Sequence, residues 1–271
     1  VTLTLTPDTT QRWTEGRSTF RTRARDFAPR DFEVAPIAQA PARAFVEAHH
    51  YARSFPQAQD RLGLFRHGTL VGVAVFGRGT NDRTLTNVFA APVGALRELS
   101  RLVLLDEVPF NAESWFVARC FAHLRRAGVR GVVSMSDPMP RTTAAGLELM
   151  PGHVGTVYQA LNAAYLDRSD VGRLLLLPDA TAFSRRTLQK IRSGERGWTG
   201  PKGTGALVAW GADPIDAGAD RAARLAWLRR WIPALCRPMR HPGNHRYAWT
   251  FGAPLRMAAR APYPKRQEIA A

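Results

Sequence analysis

Apolar and polar positions along the 271-residue chain fall into runs of two kinds. RLGLF and TLVGVAVFG are β-rich runs joined by a short turn centred on His67-Gly68, which predicts a hairpin. NDRTLTNVFA and LRELSRLVLLDEVPF are read as further strands, separated by a loop with Pro92 and Gly94. In the second, Leu99, Leu102, Leu104 and Leu105 supply buried surface while Glu98 and Arg101 point elsewhere. VRGVVSMSD is an apolar run giving way to Ser-Asp-Pro, a strand that stops where polar chemistry begins.

Helical spacing marks other stretches. PARAFVEAHHY, 41–51, presents Ala44, Phe45 and Ala48 on one face. NAESWFVARCFAHLRRAG begins at Asn111 as N-cap, carries Trp115, Ala118, Phe121, Ala122 and Leu124 on its apolar face, and stops at Gly128. GHVGTVYQALNAAY is a Gly/His loop feeding a helix that bears Tyr158, Gln159, Asn162 and Tyr165. GRLLLLPDATAF predicts a strand, SRRTLQKIR a basic helix, and RGWTGPKGTGALVAW a Gly-rich turn running into a strand. ADRAARLAWLRRWIPAL is a helix with Leu225, Leu228, Trp231 and Ile232 together. The sequence is therefore mixed α/β, with strand–helix–strand over 96–136 reading as a right-handed crossover between parallel strands. Three regions follow: a basic arm over 1–35, a catalytic domain over 36–215, and a basic helix and tail over 216–271 packed on the core.

Composition adds charge to this outline. There are 38 Lys and Arg against 22 Asp and Glu, a net +16. Arg12, Arg17, Arg21, Arg23, Arg25 and Arg30 crowd an arm without apolar period, which is expected to be extended. From Arg221 onward eleven Lys/Arg face one acid, Glu268. Such a balance predicts attraction to polyanions, nucleic acid first. Cys120 and Cys236 lie far apart and outside any CxxC, so neither a disulfide framework nor a structural zinc site is expected. No apolar run approaches the roughly 20 residues of a membrane span, and Val1 opens no signal-peptide pattern. A cytoplasmic protein with no membrane partner is the expectation.

The order of elements is similar to the GNAT acyltransferase fold, a central mixed sheet flanked by helices, here with basic N- and C-terminal extensions. In that fold a donor pyrophosphate meets the N-terminus of the helix after the central strand, where free N–H groups and the helix dipole face an anion. The corresponding residues are Asn111, Ala112, Glu113 and Ser114, although the usual Gly-rich loop is replaced by LDEVPFNAES. The pieces HHYARS, LVGVAVFG, RELSRLVLLDEVPFNAES, SMSDP, GHVGTVYQALNAAYLDRS and NHRYAW…PYPK resemble, in order, the bacteriophage Mom family of DNA-modification proteins. The resemblance implies modification of the exocyclic amine of adenine in double-stranded DNA to a carbamoylmethyl-type adduct that protects phage DNA from restriction. It does not fix the donor: an acyl-CoA-type donor fits the fold, and iron is a further cofactor to weigh. MPRTTAAGLELMP, 139–151, is an insertion where the family connects Asp to Gly-His directly.

Candidate site residues follow from both readings. Asp137 can take a proton or a hydrogen bond from the adenine amine, or simply form a turn before Pro138. Tyr158, one helical turn from Asn162, can protonate a leaving group or anchor the core. His153 lies in a loop where Gly152 and Gly155 allow close approach to a ligand. His50, Tyr51 and Ser54 follow the first helix and can face the acceptor; a metal site from His50, Asp137 and His153 is the weakest of these readings. Arg101 reads as a member of a structural ion pair or as an alternate-face strand charge, and Glu98 likewise, with service in the active site as its second reading. Gln159, Asn162, His245, Arg246, Tyr247, Lys265 and Arg266 are assigned to DNA contacts. Rival readings are a conventional GNAT N-acetyltransferase acting on a small molecule, protein or aminoacyl-tRNA, and a non-catalytic DNA-binding protein.

Overall fold

The computed structural model describes residues 9–14, 17–22, 27–79, 81–260 and 262–265. Two units make up the chain: Val1–Pro140, Met150–Asp170 and Gly243–Ala271 form the first, and Arg141–Leu149 with Val171–Pro242 the second. Neither boundary coincides with a split at 35/36 or 215/216. Residues 243–250 do not extend a tail but return to the first unit's sheet.

The N-terminal stretch differs from the extended arm expected. Its backbone forms an antiparallel hairpin of β1 (Thr9–Thr14) and β2 (Arg17–Thr22). The main sheet of the first unit has seven strands. Its first five are β3 (Phe32–Pro36), β4 (Asp60–Arg66), β5 (Thr69–Gly77), β6 (Leu96–Leu104) and β7 (Gly131–Ser136). β10 (Ala164–Arg168) and β13 (His245–Thr250) complete it, in the order β10-β13-β7-β6-β5-β4-β3. All pairs are antiparallel except β6–β7. The hairpin turn has His67 at φ 48° and Gly68 at φ 81°, the two positive angles a type I′ connection needs. The crossover from β6 to β7 is made by α3 (Ala112–Arg126), as the strand–helix–strand pattern predicts. This is the central mixed sheet flanked by helices that the sequence predicts.

Several faces and elements depart from the sequence pattern. α1 (Gln39–His49) buries Ala42, Phe45 and Val46, leaving Ala44 and Ala48 exposed. α3 buries Phe116, Val117, Cys120, Phe121 and Leu124 rather than Trp115, Ala118 and Ala122; Asn111 does stand at its N-cap, but at φ 69° and with no side-chain capping bond. NDRTLTNVFA is not a strand. It holds the short helix α2 (Arg83–Thr86), because Leu85, Val88 and Phe89 are the residues buried and their spacing is helical. α4 (Thr156–Ala160) has only five residues, so Asn162, at φ 53°, and Tyr165, on β10, share no helical face with Tyr158.

The second unit has its own core of Phe183, Ile191, Trp198, Leu207, Trp227 and Leu228. α5 (Arg185–Ser193) is capped by Ser184, whose hydroxyl accepts from the Thr187 N–H. α7 (Arg221–Leu235) is capped by Asp220 and buries Trp227 and Leu228, with Leu225, Trp231 and Ile232 half-buried. The expected strand after the Gly-rich turn is instead the single helical turn α6 (Gly205–Val208). Two ribbons complete the unit: β8 (Arg141–Thr142) with β9 (Glu148–Met150), and β11 (Gly172–Leu176) with β12 (Arg237–His241). Among the described residues of the chain, no helix is long and apolar enough to cross a membrane.

Candidate active site

β6 and β7 pair in parallel only from Leu96↔Gly131 to Leu99↔Ser134. β6 then continues to Leu104 and β7 to Ser136 without further pairing between them. At the last rung the Ser134 hydroxyl donates to the Leu99 carbonyl at 3.0 Å, so a side chain takes over where the ladder stops. Beside it stands Tyr158, buried to 7% exposure, with Ser134 as a hydrogen-bonding neighbour. Burial pushes the Tyr158 hydroxyl up to about 12, so it holds its proton at neutral pH.

A β-bulge puts Glu98 and Arg101 together on the face of β6 opposite that of Leu99 and Ser134, and Glu98 there still acts electrostatically on Tyr158. β5 pairs Val75↔Arg101 and Phe76↔Leu99, leaving Ser100 as the extra residue on β6, while Gly77 pairs Glu98. Directly paired residues share a face, so Glu98 lies on the face of Gly77 and Val75, and Arg101 lies there too. Without the bulge an odd spacing would put them on opposite faces. Burial raises the Glu98 carboxyl above its ordinary range; the Ser100 hydroxyl, 3.2 Å from Glu98 Oε1, and the Arg101 charge act in the opposite sense. Gly79, at φ 73°, packs so closely on Glu98 Oε2 that no Cβ fits between them.

Arg101 anchors the loop after α1. Its Nη2 donates to Ser54 Oγ at 3.0 Å, its Nε to the Ser54 carbonyl at 3.1 Å, and its Nη1 to the Ser100 carbonyl at 2.6 Å. Burial lowers the Arg101 pKa, offset by Tyr51 and Glu98, and Tyr51 also acts electrostatically on Tyr158. His50 stacks on Tyr51 at 4.3 Å, and its Nδ1 accepts the Ala52 N–H at 3.0 Å. The structure thus gathers Tyr51, Ser54, Glu98, Ser100, Arg101, Ser134 and Tyr158. One half-buried carboxyl, one half-buried guanidinium and one buried, protonated phenol can bind a polar acceptor, take a proton from it and return one to a leaving group.

The remaining sequence candidates lie apart from that cluster or are turned to structural use. Asp137, 6% exposed, accepts the Met139 N–H at Oδ1 (2.9 Å), which is the turn geometry of an Asp before Pro138. Its carbonyl accepts the His153 N–H at 2.8 Å, so the two are neighbours through backbone. Gln159 directs its amide nitrogen to the carbonyls of Val154 and Pro264 and to the Tyr247 hydroxyl, at 3.0, 3.0 and 3.2 Å, so it ties loops together instead of reading a base. Asn162 borders a cavity of about 440 Å³ with Phe121, Trp249 and Phe251.

His245 and Tyr247 are 2% and 0% exposed within β13, where no phosphate can reach, because β13 is an interior strand. Arg246 donates to the Leu166 carbonyl at 3.2 Å, Lys265 is exposed, and Arg266 lies outside the described residues. At the start of α3, Ala112 is fully buried and Ser114 returns its hydroxyl to the Asn111 carbonyl at 3.2 Å. Among the described residues no three His, Cys, Asp or Glu side chains are grouped to hold a metal ion, so His50, Asp137 and His153 do not form the iron site considered.

Fold and site together define a mixed α/β protein with a half-buried polar cluster where two parallel strands part. The chain belongs to the Mom protein family, which it matches over residues 31–198, well over half its length. Comparison with curated proteins gives no match. Among solved structures it is similar to a GNAT family acetyltransferase from Brucella melitensis in complex with acetyl-CoA, at 16% identity and TM-score 0.30 over 39% of this chain and 76% of that one. An N-acetyltransferase from Staphylococcus aureus Mu50 gives 13% identity and TM-score 0.33 over 53% and 87%. A tandem GNAT protein from the clavulanic acid biosynthesis pathway gives 12% and 0.34 over 74% and 65%. These three likenesses are loose.

Proposed function

We propose that the chain is a transferase that modifies the exocyclic amine of adenine in DNA, leaving a carbamoylmethyl-type adduct that protects phage DNA from restriction. The observation that carries this reading is the family match over 31–198, which spans Tyr51, Ser54, Glu98, Arg101, Ser134 and Tyr158. The surplus of 38 basic over 22 acidic residues supports a polyanionic substrate.

In this reading the amine attacks the methylene carbon of the donated group, the new N–CH2 bond replacing that carbon's bond to its leaving group, and Glu98, raised by burial, accepts the proton that the amine loses. Tyr158, protonated at neutral pH, gives one to the departing group. Arg101 holds Ser54, and with it the Tyr51 loop, against β6. An adenine amine inside a duplex is engaged in pairing, so the base must first leave the stack, at a cost of a few kcal/mol met by contacts to the backbone. An acyl-CoA-type donor would bring its phosphates to the first turn of α3. Glu113 there opposes an anion and the Gly-rich loop is missing.

Mass spectrometry of nucleosides from cells expressing the protein tests the reading. A modified adenosine is expected with the wild type and absent with Tyr158→Phe and Glu98→Gln, both folded. Unmodified adenosine throughout, with soluble wild-type protein, would sink it.

A further inference from the structure

The second unit carries a charge that its own packing opposes. Within Arg141–Leu149 and Val171–Pro242 there are 14 Lys and Arg against 6 Asp and Glu, so half of the chain's +16 sits in this smaller unit. Its β11–β12 ribbon pairs Arg173 directly with Arg240. Residues opposite one another in an antiparallel pair share a face with Cβ atoms about 5 Å apart, and like charges there are destabilising. Both arginines are exposed, and neither has a carboxylate partner among the described residues. Arg185 of α5 brings a further guanidinium to the ribbon's first residue, with its Nη2 3.7 Å from where a Cβ on Gly172 would lie. Arg237, on β12, donates to the Thr142 carbonyl at 3.0 Å and keeps its charge. The contrast with nearby charges is instructive: Arg186 is neutralised by Glu195 and Arg230 by Asp213, so the unit does place acids where it needs them.

We infer that the β11–β12 ribbon, with Arg185 beside it, is a duplex-DNA backbone clamp. A cross-strand arginine pair without acids costs stability in the free protein and becomes favourable when phosphates lie over it. A two-stranded ribbon is also narrow enough to enter a major groove. The positions assigned to DNA from sequence are not these: His245 and Tyr247 are buried, whereas the ribbon's cations face solvent. The identity of the polyanion as duplex DNA rests on the function proposed above; the clamp itself rests on the ribbon.

The test uses the full chain and a labelled duplex, with anisotropy measured across a salt series. Arg173→Ala/Arg240→Ala is expected to bind roughly 10- to 100-fold more weakly near 0.1 M salt, with a salt slope shallower by about two, one per lost phosphate contact. Its melting temperature should be no lower than that of the wild type, because a repulsive pair is gone. Arg173→Lys/Arg240→Lys should keep most of the affinity. Arg30→Ala/Arg83→Ala, which removes two exposed charges elsewhere, should leave the slope within about half a unit of the wild type.

Equal loss in both double-alanine variants would reduce the clamp to net charge and overturn it. Wild-type binding and adenosine modification with an unaffected ribbon variant would overturn the clamp alone, and a wild type with neither DNA binding nor modification would overturn both. Preference for single-stranded RNA of equal length over the duplex would also overturn it.

Discussion

Arg101 holds Ser54 twice, through Oγ at 3.0 Å and through the carbonyl at 3.1 Å, across 47 positions of sequence. That fork is what fixes the loop carrying Tyr51 against β6. Lysine has one nitrogen and cannot satisfy both acceptors with the same geometry. Arg101→Lys is therefore expected to lose about 1.5–3 kcal/mol in urea unfolding, the scale of a charge-assisted hydrogen bond in a partly buried site. It should also lose adenosine modification. A variant as stable and as active as the wild type would remove Arg101 from the positioning role.

Gly155 shows how closely the loop before α4 fits the aromatic core. At φ 73°, a Cβ there would lie 2.7 Å from the Tyr247 ring and 2.9 Å from the Tyr158 ring. Gly128 has a similar angle, φ 83°, with open space around it. Gly128→Ala should cost about 1 kcal/mol for backbone strain alone, and Gly155→Ala about 1–3 kcal/mol more for overpacking. Chemical denaturation of the two variants measures the difference, and equal losses would show that the rings yield.

His245 supplies a pH signature. Burial, and then Arg168, press its pKa down to about 4, and its Nδ1 shares a 2.9 Å hydrogen bond with the Tyr165 hydroxyl. The folded state thus binds fewer protons than the unfolded chain between these values, so stability rises with pH across that window. His245 contributes fully above about 6.5, and its contribution is lost as pH falls from 6.5 through about 4, on the order of 3 kcal/mol in all. His245→Asn cannot titrate. The difference between wild-type and variant unfolding free energies should change by that amount over the window; a constant difference would show an unshifted imidazole.

Both thiols should be inert in the native protein. Burial pushes Cys120 well above its ordinary range and Cys236 up to about 11, and they are 0% and 5% exposed. A thiol-reactive dye at neutral pH is expected to titrate neither until denaturant is added. Rapid stoichiometric labelling of the folded chain would contradict the packing around them.

Much of the scaffold was legible because its signals are local. The His67-Gly68 turn, the α3 crossover and the stop at Gly128 each follow from residues within a few positions of one another. Tyr51, Ser54 and Tyr158 were also legible as candidates. Glu98 was legible only as a lesser active-site reading and Arg101 only as a structural charge, because simple alternation puts them on opposite faces of a strand, and the bulge at Ser100 is what reverses that. A bulge is set by the partner strand, which no single run of residues reveals. Charges among the leucines of RELSRLVLL were the available hint. The aromatic, basic C-terminal sequence misled in the opposite direction: HRYAWT buries His245, Tyr247, Ala248 and Trp249 as an interior strand does, yet its composition reads as a nucleic-acid tail.

The position of β13 has a consequence for how the protein is made. This strand lies between β10 and β7, pairing Tyr247 with both Tyr165 and Ser134, yet it is the last of the seven to be synthesised. Until residues 245–250 leave the ribosome, Val132 and Val133 of β7 lack their antiparallel neighbour, and β10 has nothing to join in the sheet. The nascent chain must therefore carry an open sheet edge through the synthesis of the whole 171–242 insertion, and that interval is when a chaperone would find the most to hold.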